Sequence, residues 1–141
     1  MRSDDAASRL FVYGTLMMPV VLHAVCGQRL PARAASLAEF GRYRLRRRVY
    51  PAIVAEPGAL TMGLLVEGLN AVLWQCLDDW ESALYIRQTV LVQTAEGAAL
   101  AAQTYVLAAQ HHAELDTAPW SPEEFERLHL RAYMARWTVA R

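Results

Sequence analysis

Lysine is absent from these 141 residues: all 14 basic side chains are arginine, and 14 acids bring the formal net charge to zero. A chain without net charge lacks the field that holds nucleic acid or an anionic membrane, so neither is an expected partner. The missing lysine reads as composition bias and carries no mechanism. Cysteine is scarce too. Cys26 and Cys76 are too few and too far apart for a disulfide framework or a four-ligand zinc site, and their apolar neighbours predict two buried thiols. No stretch approaches the roughly 20 apolar residues of a membrane helix, and MRSDDAASRL at the start has no apolar signal segment. These absences predict a soluble, cytoplasmic protein. No Ser/His/Asp set stands out, and His111-His112 has no partner at ligand spacing, so neither a metal nor a cofactor is expected.

What remains is apolar: 55% of the chain is hydrophobic, enough to core one domain over residues 1–141. Residues 9–13 form a strand that Gly14-Thr15 breaks, and a helix over 17–25 follows with Pro19 near its start. Residues 32–40 read as a strand. After Gly41, residues 42–46 alternate, with Tyr43 and Leu45 inward and the arginines outward. On that reading Arg42, Arg44, Arg46, Arg47 and Arg48 make a solvated face. Pro51 opens a short strand over 52–55 that Pro57-Gly58 closes, and another strand occupies 61–69.

Asn70 caps a helix from 71 to about 80, with Leu73, Leu77 and Trp80 on one side. Strands over 86–93 and 99–107 are joined by the turn at Ala95-Glu96-Gly97, residues 109–117 are loop, and Ser121-Pro122-Glu123-Glu124 starts a helix reaching about Trp137. Neighbouring strands with few intervening helices argue for an α+β fold and a small barrel rather than a doubly wound sheet.

Two stretches carry chemistry. In FVYGTL (residues 11–16) a strand delivers a glycine and a small hydroxyl residue to one spot, which suits either an ordinary turn or a backbone cradle for an anion. In LDDWESALYIR (77–87) three carboxylates, Asp78, Asp79 and Glu81, crowd a helix C-terminus, where the dipole disfavours them. Each is either solvated and inert or held in an apolar pocket as a general base. Glu81, directly after Trp80, is best placed for the second role.

Together, Tyr-Gly-Thr-Leu at a strand end and the later Leu-Asp-x-x-Glu-x-x-x-Tyr-x-Arg resemble the γ-glutamylcyclotransferase-like family, in its AIG2-like branch. The resemblance spans about residues 10–107 and includes Pro51 in YPAIV, Gly63 in TMGLLVE and the strand AQTYVLA. It implies a small mixed β-barrel with flanking helices, followed by a loop and a C-terminal helix over 108–141. It also implies an enzyme that turns a small γ-glutamyl amine or dipeptide into 5-oxoproline and free amine. Carried over by position, Glu81 is the catalytic acid/base, and Tyr13, Gly14, Thr15 and Leu16 bind substrate. Tyr85 and Tyr105 can each face the pocket; Tyr105 is chosen because its strand matches the family's final barrel strand. The chain departs from the family pattern at Met17, often a basic residue, and at Ser82, commonly glycine. The alternative to an enzyme is a binding module holding a small anionic metabolite in the same cavity, which gains nothing from a buried carboxylate at position 81.

Overall fold

In the computed structural model, which describes residues 3–140, β1 (Arg9–Val12) lies between two partners of opposite sense. It runs antiparallel to β3 (Pro51–Glu67) and parallel to β5 (Ala99–Leu107). From β5 the sheet continues through antiparallel β4 (Tyr85–Thr94) to β2 (Ala32–Leu45), which pairs with β3 and closes a five-stranded mixed barrel. Closure leaves no long open edge inside the ring. A sixth strand, β6 (Leu115–Pro119), extends the sheet beside the far half of β2. Phe11, Leu37, Ile53, Leu65, Val92 and Ala102 fill the barrel. On the other face of β1, Leu10 and Val12 pack under the helices with Val66, Leu73 and Leu77. A strand buried on both faces reads as an unbroken apolar run, as LFV does.

The helices sit outside. α1 (Pro19–Cys26) begins at its proline and ends at Gly27, whose φ of 74° is the left-handed stop that favours glycine. α2 (Ala71–Glu81) is capped by Asn70, whose side chain accepts from the Leu73 amide at 2.9 Å. α3 (Pro122–Leu128) begins with Ser121 accepting from the Glu124 amide at 3.2 Å, and α4 (Leu130–Ala140) follows a break at His129. No helix among the described residues is long and apolar enough to cross a membrane.

Several local expectations fail for identifiable reasons. Pro57-Gly58 does not end a strand: β3 runs through it inside a bulge opposite Glu39, where the ladder is interrupted and proline forfeits no bond. Gly41 is likewise continuous strand. Residues 109–117 are not loop but a 3-10 turn, Ala109–Glu114, leading into β6. The C-terminal segment contributes to the main core cluster through Trp120 and Phe125. Cys26 is buried as expected, but Cys76 is exposed. Arg42 does not point to solvent. Its guanidinium donates to the Tyr13 and Met62 carbonyls at 2.9 Å and lies 5.5 Å from the Trp120 ring centre.

Candidate active site

Where β1 ends, a cavity of about 210 Å³ opens, lined by Tyr13, Gly14, Thr15 and Leu16 on one side and Glu81 on another. Tyr105 joins them from β5, so all six residues singled out in the sequence meet around one space. Tyr50, Pro51, Trp80, Tyr85 and Tyr133 supply most of the remaining wall. Glu81 is the acid among these lining residues, and none of them is basic.

The three carboxylates of α2 meet three different fates. Asp79 is exposed and accepts from Gln75 at 3.1 Å. Asp78 receives Arg87 through two nitrogens, at 3.0 and 3.1 Å, and the Tyr105 hydroxyl at 2.6 Å. The Arg87 guanidinium in turn sits 4.4 Å over the Trp74 ring. Glu81, the last residue of the helix, is half-buried at the cavity and accepts no hydrogen bond among the described residues. Burial, and then the neighbouring Asp78 charge, push its carboxyl up to about 8. The aromatic rim explains the burial. Each of its best-placed hydroxyls is already engaged: Tyr13 donates to the Tyr105 carbonyl at 2.5 Å and Tyr85 to the Pro51 carbonyl at 2.7 Å. These residues therefore offer Glu81 ring surface rather than donors. A carboxyl left near neutrality in this way is poised to exchange a proton.

Glu81 is aimed by the residue after it. Ser82 turns the chain with φ 64° and ψ −168°, a conformation costing of order 1–3 kcal/mol for a residue with a Cβ. Replacing Ser82 with glycine should therefore raise stability by about 1 kcal/mol, part of the relief being offset by glycine's freer unfolded state. Thermal melting checks this; an unchanged or lower midpoint would mean that the turn is unstrained.

Residues 14–16 line the same cavity as Glu81 and form the second part of the site. The turn bonds run from the Met17 and Met18 amides back to the Gly14 and Thr15 carbonyls. The amides of Gly14, Thr15 and Leu16 themselves find no acceptor among the described residues. Three successive unengaged N–H groups at a cavity make a receptor for an anion. Gly14 has φ −125° and ψ −137°, so left-handed freedom is not its reason. A Cβ there would stand 3.0 and 3.1 Å from two carbons of the Pro51 ring, so this glycine makes room for another wall of the cavity.

Sequence reasoning missed Arg42, which holds the Tyr13 carbonyl immediately before the cradle, and the Asp78–Arg87 pair behind Tyr105. It also missed Tyr133, which α4 brings to the cavity wall. A break in the alternation of Arg42 was not visible locally; the Arg87 of the motif was the available signal for the second.

The family profile described as "Gamma-glutamyl cyclotransferase, AIG2-like" matches residues 10–125. The chain is similar to AIG2-like protein D of Arabidopsis thaliana, 29% identical over 127 residues that cover 89% of this chain and 83% of that one. A solution structure of an Arabidopsis thaliana protein superposes with a TM-score of 0.72 at 28% identity, covering 96% of this chain and 93% of that one. A structure titled "Gamma-glutamyl cyclotransferase" shares the fold with a TM-score of 0.66 at 19% identity, covering 91% and 85%.

Proposed function

We propose, from the premise that this chain belongs to the gamma-glutamyl cyclotransferase, AIG2-like family, that it converts a small γ-glutamyl amine or dipeptide into 5-oxoproline and free amine, with Glu81 moving the proton. One observation carries this reading: a carboxyl raised by desolvation and without a protein donor lines the same small cavity as three successive residues whose amides have no acceptor among the described residues.

The amides of residues 14–16 receive the substrate's α-carboxylate or the developing oxyanion, which the lining must hold without a basic side chain. The substrate's α-amine, with an ordinary pKa of about 8, arrives mostly protonated. A carboxyl near 8 takes that proton almost without thermodynamic penalty. The freed nitrogen attacks the γ-carbonyl carbon and a new C–N bond closes the five-membered ring. The bond to the departing amine then breaks: Glu81 returns its proton to that nitrogen, and the second proton that the attacking nitrogen sheds on becoming an amide passes the same way, so the amine leaves as an ammonium ion. Both reacting groups belong to one molecule, so the protein's task is to fold it. Correct placement of this kind is worth on the order of 7–11 kcal/mol. Among the described residues the lining holds no basic side chain, which favours amines over dipeptides, since a dipeptide's second carboxylate would meet no cation there and the charge of Glu81.

A panel of γ-glutamyl amines and dipeptides, assayed for 5-oxoproline, tests this. Release from the amines should exceed release from the dipeptides, and no release from any member would overturn the reading. Within the same assay, Gly14→Ala should raise KM several-fold and lower stability by about 1 kcal/mol, because Pro51 must yield a few tenths of an ångström. A stability loss at unchanged KM would show that Pro51 yields without disturbing the substrate.

A further inference from the structure

The ladder between β1 and β3 ends at Val12 opposite Leu64. Beyond that pair a side chain takes over. Arg42, reaching in from β2, donates through Nη1 to the Tyr13 carbonyl just past β1 and to the Met62 carbonyl of β3, both at 2.9 Å. Its guanidinium also lies 5.5 Å from the Trp120 ring centre, which holds it on another side. No carboxylate among the described residues forms an ion pair with it, and the Glu123 charge acts on it only from further off. The direct polar partners of this cation are therefore backbone oxygens.

The Tyr13 carbonyl and the Gly14 N–H belong to one peptide unit. That unit is planar and trans, so its C=O and N–H point in opposite directions, and fixing the first fixes the second. Tyr13 and Gly14 line the cavity, whereas Arg42 does not. We propose that Arg42 is a positioning residue for the anion site: by holding the Tyr13 carbonyl it turns the Gly14 amide to the substrate carboxylate and strengthens that amide as a donor. The proposal rests on reading the amides of residues 14–16 as the carboxylate's receptor. The strengthening follows from polarisation, because hydrogen bonds that run in series through a peptide reinforce one another. A cation one peptide removed also offsets the substrate's charge without entering the cavity. A basic residue in the lining would instead pair with Glu81 and favour its charged form, against the raised value that proton exchange with the amine uses.

Comparing 5-oxoproline with 5-oxoprolinamide, which has the same ring and no negative charge, isolates recognition of the carboxylate. Full-length wild type, Arg42→Gln and Arg42→Lys are each titrated with both by calorimetry. Wild type should prefer the acid. Arg42→Gln should cut that preference about three- to tenfold, the scale of one hydrogen bond. Arg42→Lys keeps the charge on a stem one bond shorter, so its preference should fall between, and it carries the comparison should Arg42→Gln fail to fold. In the activity assay the folded variants should raise KM with kcat little changed. A merely structural role for Arg42 would weaken acid and amide alike. A preference unchanged in every folded variant would thus overturn the proposal and leave the receptor standing. Wild type that binds neither ligand, or the amide as tightly as the acid, would remove the receptor and the role of Arg42 with it. Release of 5-oxoproline by wild type, scored separately, decides the cyclotransferase reading.

Discussion

Glu81→Gln is expected to lower kcat by about 10²–10⁴-fold, the usual scale for losing a general base, while leaving the fold intact. Glutamine keeps the shape of the side chain and removes its titration. Asp78 and Asp79 cannot replace it, since the first is held by Arg87 and Tyr105 and the second is exposed. Retention of more than about a tenth of wild-type kcat would contradict the assignment. The pH dependence carries the same signature. In the free enzyme kcat/KM should rise with a midpoint of about 8, where Glu81 loses its proton. With substrate bound, the α-ammonium stabilises the carboxylate, so the midpoint for kcat should lie lower.

Stability should move the opposite way. The folded carboxyl titrates at about 8 against an ordinary 4.5, so between those values the folded state holds a proton that the unfolded chain has released. Its contribution is complete below the lower value and is lost as pH rises through the upper one. Glutamine has no such proton, and the variant's lead in melting temperature over wild type should grow across that window.

Gly63→Ala should have the largest effect on stability, about 3 kcal/mol, at the upper end of what overpacking costs. A Cβ on Gly63 would lie 2.3 Å from the Val12 carbonyl oxygen and 2.8 Å from the Phe11 ring. Neither can step aside. Val12 is locked to Leu64 across the β1–β3 ladder, and Phe11 fills the barrel. The displaced strand is also the one that delivers Tyr13 to the cavity, so the residual folded protein should bind substrate more weakly. Chemical denaturation measures the first effect; a loss below about 1 kcal/mol would mean that the barrel wall has slack at this position.

The sequence revealed most where chemistry is local. The Asn70 and Ser121 caps, the Pro19 start and the turn at Gly97 each follow from one residue's backbone preference, and each is present in the structure. Glu81 and residues 13–16 were legible as candidates because two short motifs carry them, and the structure brings them to one cavity. Hidden features depend on partners remote in the chain. Arg42 alternates like a surface residue, and only the approach of Tyr13 and Trp120 turns it into a half-buried brace. Tyr133 reads as one aromatic on a terminal helix until the fold sets it on the cavity wall against Phe125. Pro57-Gly58 shows a rule half right: the ladder is interrupted there, but the strand continues because a bulge absorbs the interruption.

Product identity in heavy-oxygen water tests the central claim most directly. Intramolecular attack by the α-amine excludes water from the bond-making step, so a γ-glutamyl amine should yield 5-oxoproline without label, in equal amount to the amine released. Glutamate carrying one labelled oxygen would instead show that Glu81 activates water, and the account of an amine nucleophile folded between Glu81 and residues 14–16 would be wrong.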